Sequence, residues 1–271
     1  MVTEYISYET METGQAAGRI GWVGMFELTG RTALITGAGQ SIGAVMAATI
    51  AEAGATVVVN DLRPEAAERT ASTIRSDGGA SVAASFDVTD FDATTAAIRA
   101  AEHEVGPIDI LVNNAGIVSQ AGIRFFRDAD PEYWHRWVDL NLFGVMNCCK
   151  AVIDGMCERG FGRIVTISSG AGVSGLAIGM SAYAAGKGGA ISFMRHLALE
   201  TATFGVTANT LALGMMDNMQ GTDAGDTLGA RVPVGRLGSG RDVGTAIIWL
   251  AAEGAWVTGQ TININGGSLT T

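Results

Sequence analysis

Seven short runs rich in β-branched and apolar residues punctuate the chain: TALIT from Thr32, TVVVN from Thr56, SVAASF from Ser81, IDILVNN from Ile108, RIVTISS from Arg163, VTANTLA from Val206 and QTININ from Gln260. Their apolar positions fall largely side by side rather than alternating, as in strands covered on both faces. Between the first two runs, Ile42, Val45, Met46, Thr49, Ile50 and Ala53 recur at helical spacing, and Gly54 follows as a helix-ending glycine. The unit reads as strand, helix, strand. Its repetition predicts an α/β fold with a doubly wound parallel sheet and right-handed crossovers. No proline-rich or charged linker interrupts the rhythm, so residues 28–271 are expected to form a single domain. Residues 1–27 precede the first strand and are expected to be a leader, or an arm lying on a neighbouring subunit.

Composition narrows the partners. Hydrophobic residues are 48% of the 271 positions and charged residues 16%, which suits an extensive core. A formal net charge of −10 repels a phosphate backbone, so no nucleic-acid partner is expected. No apolar run reaches the roughly 18 residues of a membrane span, and the first residues lack a basic and an apolar signal region. A cytoplasmic protein with no membrane contact is the expectation. Cys148, Cys149 and Cys157 crowd one apolar segment and read as buried thiols rather than a disulfide framework or zinc ligands. His103, His135 and His196 show no paired ligand spacing, so no metal is expected.

The stretch TGAGQSIG at Thr36–Gly43 follows the first strand and opens a helix, the context in which a glycine loop cradles phosphates. Gly37 permits the tight turn and Gly43 lets the helix approach the sheet. Ser41 stands where a second glycine is expected. At a helix start its hydroxyl is expected to cap free N–H groups or donate to a phosphate oxygen. Asp61 ends the second strand, where a carboxylate accepts from both ribose hydroxyls and repels a 2′-phosphate. NAD is therefore expected over NADP, with Arg63 as the feature favouring NADP.

Tyr183 and Lys187 are four apart on one helical segment and share a face. A tyrosine of pKa about 10 is a poor proton carrier at neutral pH. Lowering it by three units takes roughly 4 kcal/mol, which an ammonium about 4 Å away supplies at an effective dielectric near 20. Ser169 ends a strand just upstream and is placed to donate to a carbonyl oxygen. Asn141 sits inside an apolar helical run, where its amide needs partners such as a backbone group and an ordered water.

In chain order, TGAGQSIG, FDVTD, NNAG at Asn113–Gly116, the lone Asn141, ISS, YAAGK and INGG ending at Gly267 resemble the short-chain dehydrogenase/reductase family, in its single-domain branch, from about Leu28 to Gly267. The resemblance implies a Rossmann fold and an NAD-dependent oxidoreductase interconverting a secondary alcohol and a ketone. It implies Tyr183 as general acid/base, and Lys187 as the group that depresses its pKa and binds the nicotinamide ribose. Ser169 polarises the carbonyl, with Ser168 as runner-up, the gap from Ser169 to Tyr183 being one residue longer than the family pattern. Asn141 holds the water that links Lys187 to solvent. Cofactor contacts are implied for Gly37, Ser41, Ile42 and Gly43, for Asp61, for Asp87 and Val88 at the adenine, and for Asn114, Ala115 and Gly116. Tyr183, Lys187, Gly214, Met216 and Asn218 complete the set, Asn218 matching a usual threonine. Leu213 replaces a usual proline, which frees backbone that the ring would restrain.

Residues 214–236, rich in glycine and carrying Met215, Met216 and Met219, resemble the family's mobile flap over its substrate. With the apolar VSGLAIGM segment they predict a hydrophobic aryl or cyclic substrate. The helices around 141–159 and 183–203 resemble family subunit interfaces, so a homo-oligomer, a tetramer, is expected. The alternative function is a catalytically silent dinucleotide-binding sensor or scaffold, favoured by the departures at Ser41 and Leu213.

Overall fold

Each of the seven apolar runs forms a strand: β1 (Thr32–Ile35), β2 (Thr56–Asn60), β3 (Ala80–Ala84), β4 (Ile110–Asn113), β5 (Gly162–Ser169), β6 (Val206–Leu213) and β7 (Thr261–Ile264). The computed structural model describes residues 26–116, 124–217, 227–252 and 256–270. All strand pairs are parallel, in the order β3-β2-β1-β4-β5-β6-β7. The chain winds outward from β1 to β3, then restarts at β4 on the other side of β1. That reversal opens a crevice at the carboxyl ends of β1 and β4, where open α/β sheets bind ligands.

The helices are α1 (Ser41–Glu52), α2 (Pro64–Ser76), α3 (Phe91–Val105), α4 (Pro131–Val138), α5 (Gly144–Arg159), α6 (Gly170–Val173), α7 (Ser181–Thr201) and α8 (Gly240–Ala251). They cover both faces of the sheet, which is why the strands carry apolar residues on consecutive positions. Val57, Val59, Ile35 and Leu211 point to one layer with Met46, Ile50, Val243 and Ile247. Val58, Leu34, Leu111 and Ile164 point to the other with Ile98, Cys148, Met156 and Met194. On the first face α1 and α8 pack closely because Gly240 and Gly244 lie against Val45 and Thr49.

Local chemistry fixes the helix starts. The Asp90 carboxylate accepts from Ala93 N at 3.0 Å to cap α3, and Asp130 accepts from Tyr133 N at 2.8 Å to cap α4, which begins at Pro131. Among the described residues no helix is long and apolar enough to cross a membrane. The expected leader over residues 1–27 lies outside the described residues except for its last two.

Candidate active site

The loop after β1 is tied to both neighbouring strands. The Thr36 hydroxyl oxygen accepts from the backbone N–H groups of Asn114 and Ala115, each at 3.0 Å. In return the Asn114 side-chain amide donates to the carbonyls of Thr36 at 2.9 Å and Gly37 at 3.1 Å. Gly37 N donates to Asn60 Oδ1 at 3.3 Å. Gly37 has φ 62, and a Cβ there would lie 2.8 Å from Ala115 Cα, so the position needs glycine on both counts. A Cβ on Gly43 would run into the Gly37 carbonyl oxygen, which is the close helix approach expected of it.

Ser41 is the first residue of α1 and stands at φ 49, the only non-glycine with positive φ among the described residues. The cap position is Gln40, and no side chain caps the helix. The expected capping by Ser41 is therefore replaced by a different fact: glycine suits this position because the backbone is left-handed.

Asp61 follows β2 and is buried, with Oδ1 accepting from Arg63 N at 3.0 Å and Arg63 Nε at 3.2 Å. Its other oxygen faces the glycine loop: a Cβ on Gly39 would lie 2.6 Å from Asp61 Oδ2. Asp87 Oδ1 accepts from Thr89 N and Thr89 Oγ1 in an exposed turn, while Val88 packs its side chain against Gly144.

On the other side of the crevice, Tyr183 and Lys187 lie in α7, each 5% exposed. The Ser169 hydroxyl lies near the Tyr183 phenol and favours its ionised form. Ser169 also caps α6, accepting from Ala171 N at 3.2 Å. Ser168 points the other way, its hydroxyl buried and donating to the Lys187 carbonyl at 3.2 Å. Geometry thus selects Ser169 over Ser168 as the serine beside the phenol.

Asn141 is fully buried, in a π-helical turn over Asp139–Phe143 between α4 and α5. Such turns bulge a helix and are frequent at functional sites. Its amide donates to Trp137 O at 2.9 Å, and its Oδ1 has no hydrogen-bond partner. A Cβ on Gly116 would lie 3.3 Å from Asn141 Oδ1 and 3.5 Å from Lys187 Nζ, so these three residues converge.

The ionisation of the pair differs from the sequence expectation. Burial raises the Tyr183 pKa, and the nearby Ser169 hydroxyl offsets it only in part. Lys187 Nζ donates to the Ile167 carbonyl at 2.7 Å, and burial lowers its own pKa to about 8. The same closed surroundings penalise the charged form of both groups.

The family profile described as short chain dehydrogenase matches residues 31–227. The chain belongs to that family. This dehydrogenase is 36% identical over 255 residues to the 3-oxoacyl-(acyl-carrier-protein) reductase FabG of Vibrio harveyi, covering 89% of this chain and 98% of the relative. It is 35% identical over 243 residues to the acetoacetyl-CoA reductase of Shinella zoogloeoides, covering 88% and 98%. Among solved structures it resembles a gluconate 5-dehydrogenase from Burkholderia cenocepacia J2315 in complex with NADP and tartrate. The TM-score there is 0.82 at 37% identity, over 90% of this chain and 97% of that one. The dehydrogenase is an oxidoreductase of a family that carries a nicotinamide dinucleotide.

The residues present fit such a cofactor. Cβ atoms at Gly37, Gly39 or Gly43 would strike Ala115, Asp61 or the Gly37 carbonyl, so glycine lets the loop fold this tightly at the crevice, and the orphaned Asn141 Oδ1 awaits a donor beside Lys187. Asn114, expected at a cofactor ribose, spends its amide nitrogen bracing the loop. Ile42 is half-buried against the core packed around α1. Leu213 ends β6 in register with both Ser169 and Ile264, so the ladder supplies the restraint that the absent proline would have given. Gly214 N donates to Ile264 O at 3.0 Å, and Met216 is buried and bridges to Gly238. Asn218 lies outside the described residues.

Sequence reasoning missed Gly39, Thr36 and Trp137. Gly39 had a signal in the GAG triplet, but its need for glycine arises from Asp61 across the turn. Trp137 had none, since its neighbour Tyr183 is distant in sequence.

Proposed function

We propose that this dehydrogenase interconverts a hydrophobic secondary alcohol, aryl or cyclic, and its ketone, with NAD as the hydride carrier. The observation that carries the reading is the convergence of Tyr183 and Lys187, buried one helical turn apart in α7, with Ser169 at the carboxyl end of β5 and Asn141 Oδ1 meeting Lys187 Nζ at Gly116. NAD, when bound, accepts or returns the hydride at the alcohol carbon. Gly37, Ser41, Ile42 and Gly43 hold its phosphates, Asp61 its adenosine ribose, and Asp87 and Val88 its adenine. Asn114, Ala115, Gly116, Gly214, Met216 and Asn218 line the rest of its path.

In oxidation the Tyr183 oxygen takes the alcohol proton; in reduction it returns a proton to the carbonyl oxygen. Ser169 donates to that same oxygen as charge develops on it. Lys187, with a pKa near 8, stabilises the phenolate when charged and passes protons on when it is not. Asn141 Oδ1 is positioned to accept from a water between Lys187 and solvent. Residues 214–236, of which 218–226 including Met219 lie outside the described residues, are the flap in this reading, and residues 28–271 are the catalytic domain, with 1–27 a leader or an arm.

Cofactor choice has a second reading. Arg63 pairs with Asp61 but leaves about half its side chain exposed, at 53%, and a relative's structure contains NADP. The guanidinium turned outward would meet a 2′-phosphate. Measuring kcat/KM with NAD and NADP on a panel of aryl, cyclic and polyol alcohols and a 3-oxoacyl thioester tests both choices. The proposal expects NAD to lead by about tenfold or more, Asp61→Ala to erase the lead, and the apolar alcohols to rank first. A lead for NADP, or for the polyols or the thioester, counts against it.

A cytoplasmic homotetramer completes the reading. It is supported by the three free cysteines and by apolar side chains left exposed, Phe143, Met146 and Leu199 around α5 and α7, Trp249 on α8, and Trp256 beyond the end of α8. Light scattering tests it, and a monomer would refute it.

A further inference from the structure

Trp137 touches the site at two points. Its ring meets the Tyr183 ring edge to face, with centroids 5.6 Å apart and planes at 85°. Its carbonyl accepts the Asn141 amide at 2.9 Å and lies against α7, where a Cβ on Gly186 would come 2.9 Å from it. The residue is itself buried, in a cluster formed with Ala171, Ala182 and Tyr183. Beyond it the contacts continue outward. Tyr133 stacks edge-on with Trp137 at 6.1 Å, and the Arg124 guanidinium lies over the Tyr133 ring at 5.5 Å. Arg124 N donates to Gly179 O at 3.0 Å, two residues before α7 begins.

We propose that Trp137 is a positioning residue that holds the Tyr183 phenol and the Asn141 amide in one rigid frame. The inference rests on Tyr183 being the proton carrier. A tyrosine side chain turns about two bonds, and its hydroxyl must meet the substrate oxygen within hydrogen-bond reach. Ser169 lies near the hydroxyl end only. The indole restrains the ring itself, by a contact with a preferred geometry. Because the same residue's carbonyl fixes Asn141, displacement of α4 would disturb the proton carrier and the relay together.

The indole also keeps water from the phenol. Among the described residues the ionisable groups on the elements packed around it are Lys187 on the same helix, Tyr133 from α4, and Asp139 at the start of the π-helical turn, with His135 and Arg136 exposed. Ser169 and Asn141 contribute no charge. Burial is the main cause that raises the phenol's pKa. Opening the wall should therefore lower it.

The test compares Trp137→Met, Trp137→Leu and Trp137→Phe with the unaltered protein and Tyr183→Phe. It measures kcat and KM across pH, NAD affinity by fluorescence titration, and thermal melting. Met and Leu are expected to lower kcat about tenfold or more, to move the pH-rate inflection downward, and to leave NAD affinity within about twofold. Phe is expected to restore most of the rate and the inflection, because it keeps an aromatic edge against Tyr183. Melting temperature alone does not decide, since a merely structural role lowers it without moving the inflection. With Tyr183→Phe inactive, an unmoved inflection in the Met and Leu variants overturns the proposal. An active Tyr183→Phe instead overturns the reading on which it rests.

Discussion

Lys187 Nζ donates to the Ile167 carbonyl at 2.7 Å, so the end of β5 holds the cation that the sequence assigns to Tyr183. Burial lowers its pKa to about 8 from 10.5. The folded chain therefore disfavours the charged lysine relative to the unfolded chain. That cost is present in full below about pH 8 and is relieved as pH rises toward the unfolded value. Lys187→Met should raise stability near neutral pH by on the order of 1–3 kcal/mol while abolishing activity. Denaturant unfolding at several pH values checks it, with the gain shrinking between about pH 8 and 10.5.

Ser41 pays for its left-handed backbone at φ 49. Glycine normally loses about 0.5–1 kcal/mol to chain entropy, but here the relief of strain offsets it. Ser41→Gly should melt no lower than the natural protein and bind NAD at least as tightly. Ser41→Val should cost more than about 1 kcal/mol, because a β-branched residue suits this conformation least. Melting curves with and without NAD separate the two effects.

The strands were legible because a parallel sheet covered on both faces writes itself as consecutive apolar residues, and TVVVN and IDILVNN do so plainly. The loop, Asp61 and the Tyr183–Lys187 pair were legible as spacings at strand ends and on one helix. What was not legible depends on three-dimensional neighbours. The π-helical turn at Asn141 has no periodicity of its own, and the positive φ of Ser41 leaves no mark in its identity. The burial that raises the Tyr183 pKa was not legible either, because spacing reveals the ammonium but not the closed surroundings.

Arg236 clasps Asp242 through two bonds of 2.7 Å, while Ser239 closes a capping box with the same carboxylate. This clasp lies beside the bridge between Met216 and Gly238, at the end of the segment proposed as a substrate flap. The Arg236 and Ser239 bonds hold the Asp242 carboxyl well below the usual range. A depressed pKa contributes stability above the unfolded value, near pH 4, which is lost as pH falls through the folded one. Asp242→Asn should lower the melting temperature near neutral pH, with the difference fading in strong acid. The loss will be smaller than the displaced pKa implies, because water screens so exposed a pair. KM for the alcohol should rise in the same variant, as the flap's base loosens.

Cys148 and Cys149 are buried between α5 and the sheet, and burial pushes both thiols upward. Cys157 is only partly buried. In the native protein a thiol reagent should label Cys157 first, with the other two reacting only after unfolding. Mass spectrometry of the labelled peptides reads the order.

The central claim is that Tyr183 carries the proton in an NAD-linked exchange of alcohol and ketone. Nicotinamide absorbance followed with NAD and cyclic or aryl alcohols, for the natural protein and Tyr183→Phe at matched NAD occupancy, tests it most directly. The account predicts turnover by the natural protein and a loss of at least about a hundredfold in the variant, with NAD still bound. A variant within tenfold of the natural rate, or a natural protein that binds NAD and turns over none of the alcohols, would contradict it.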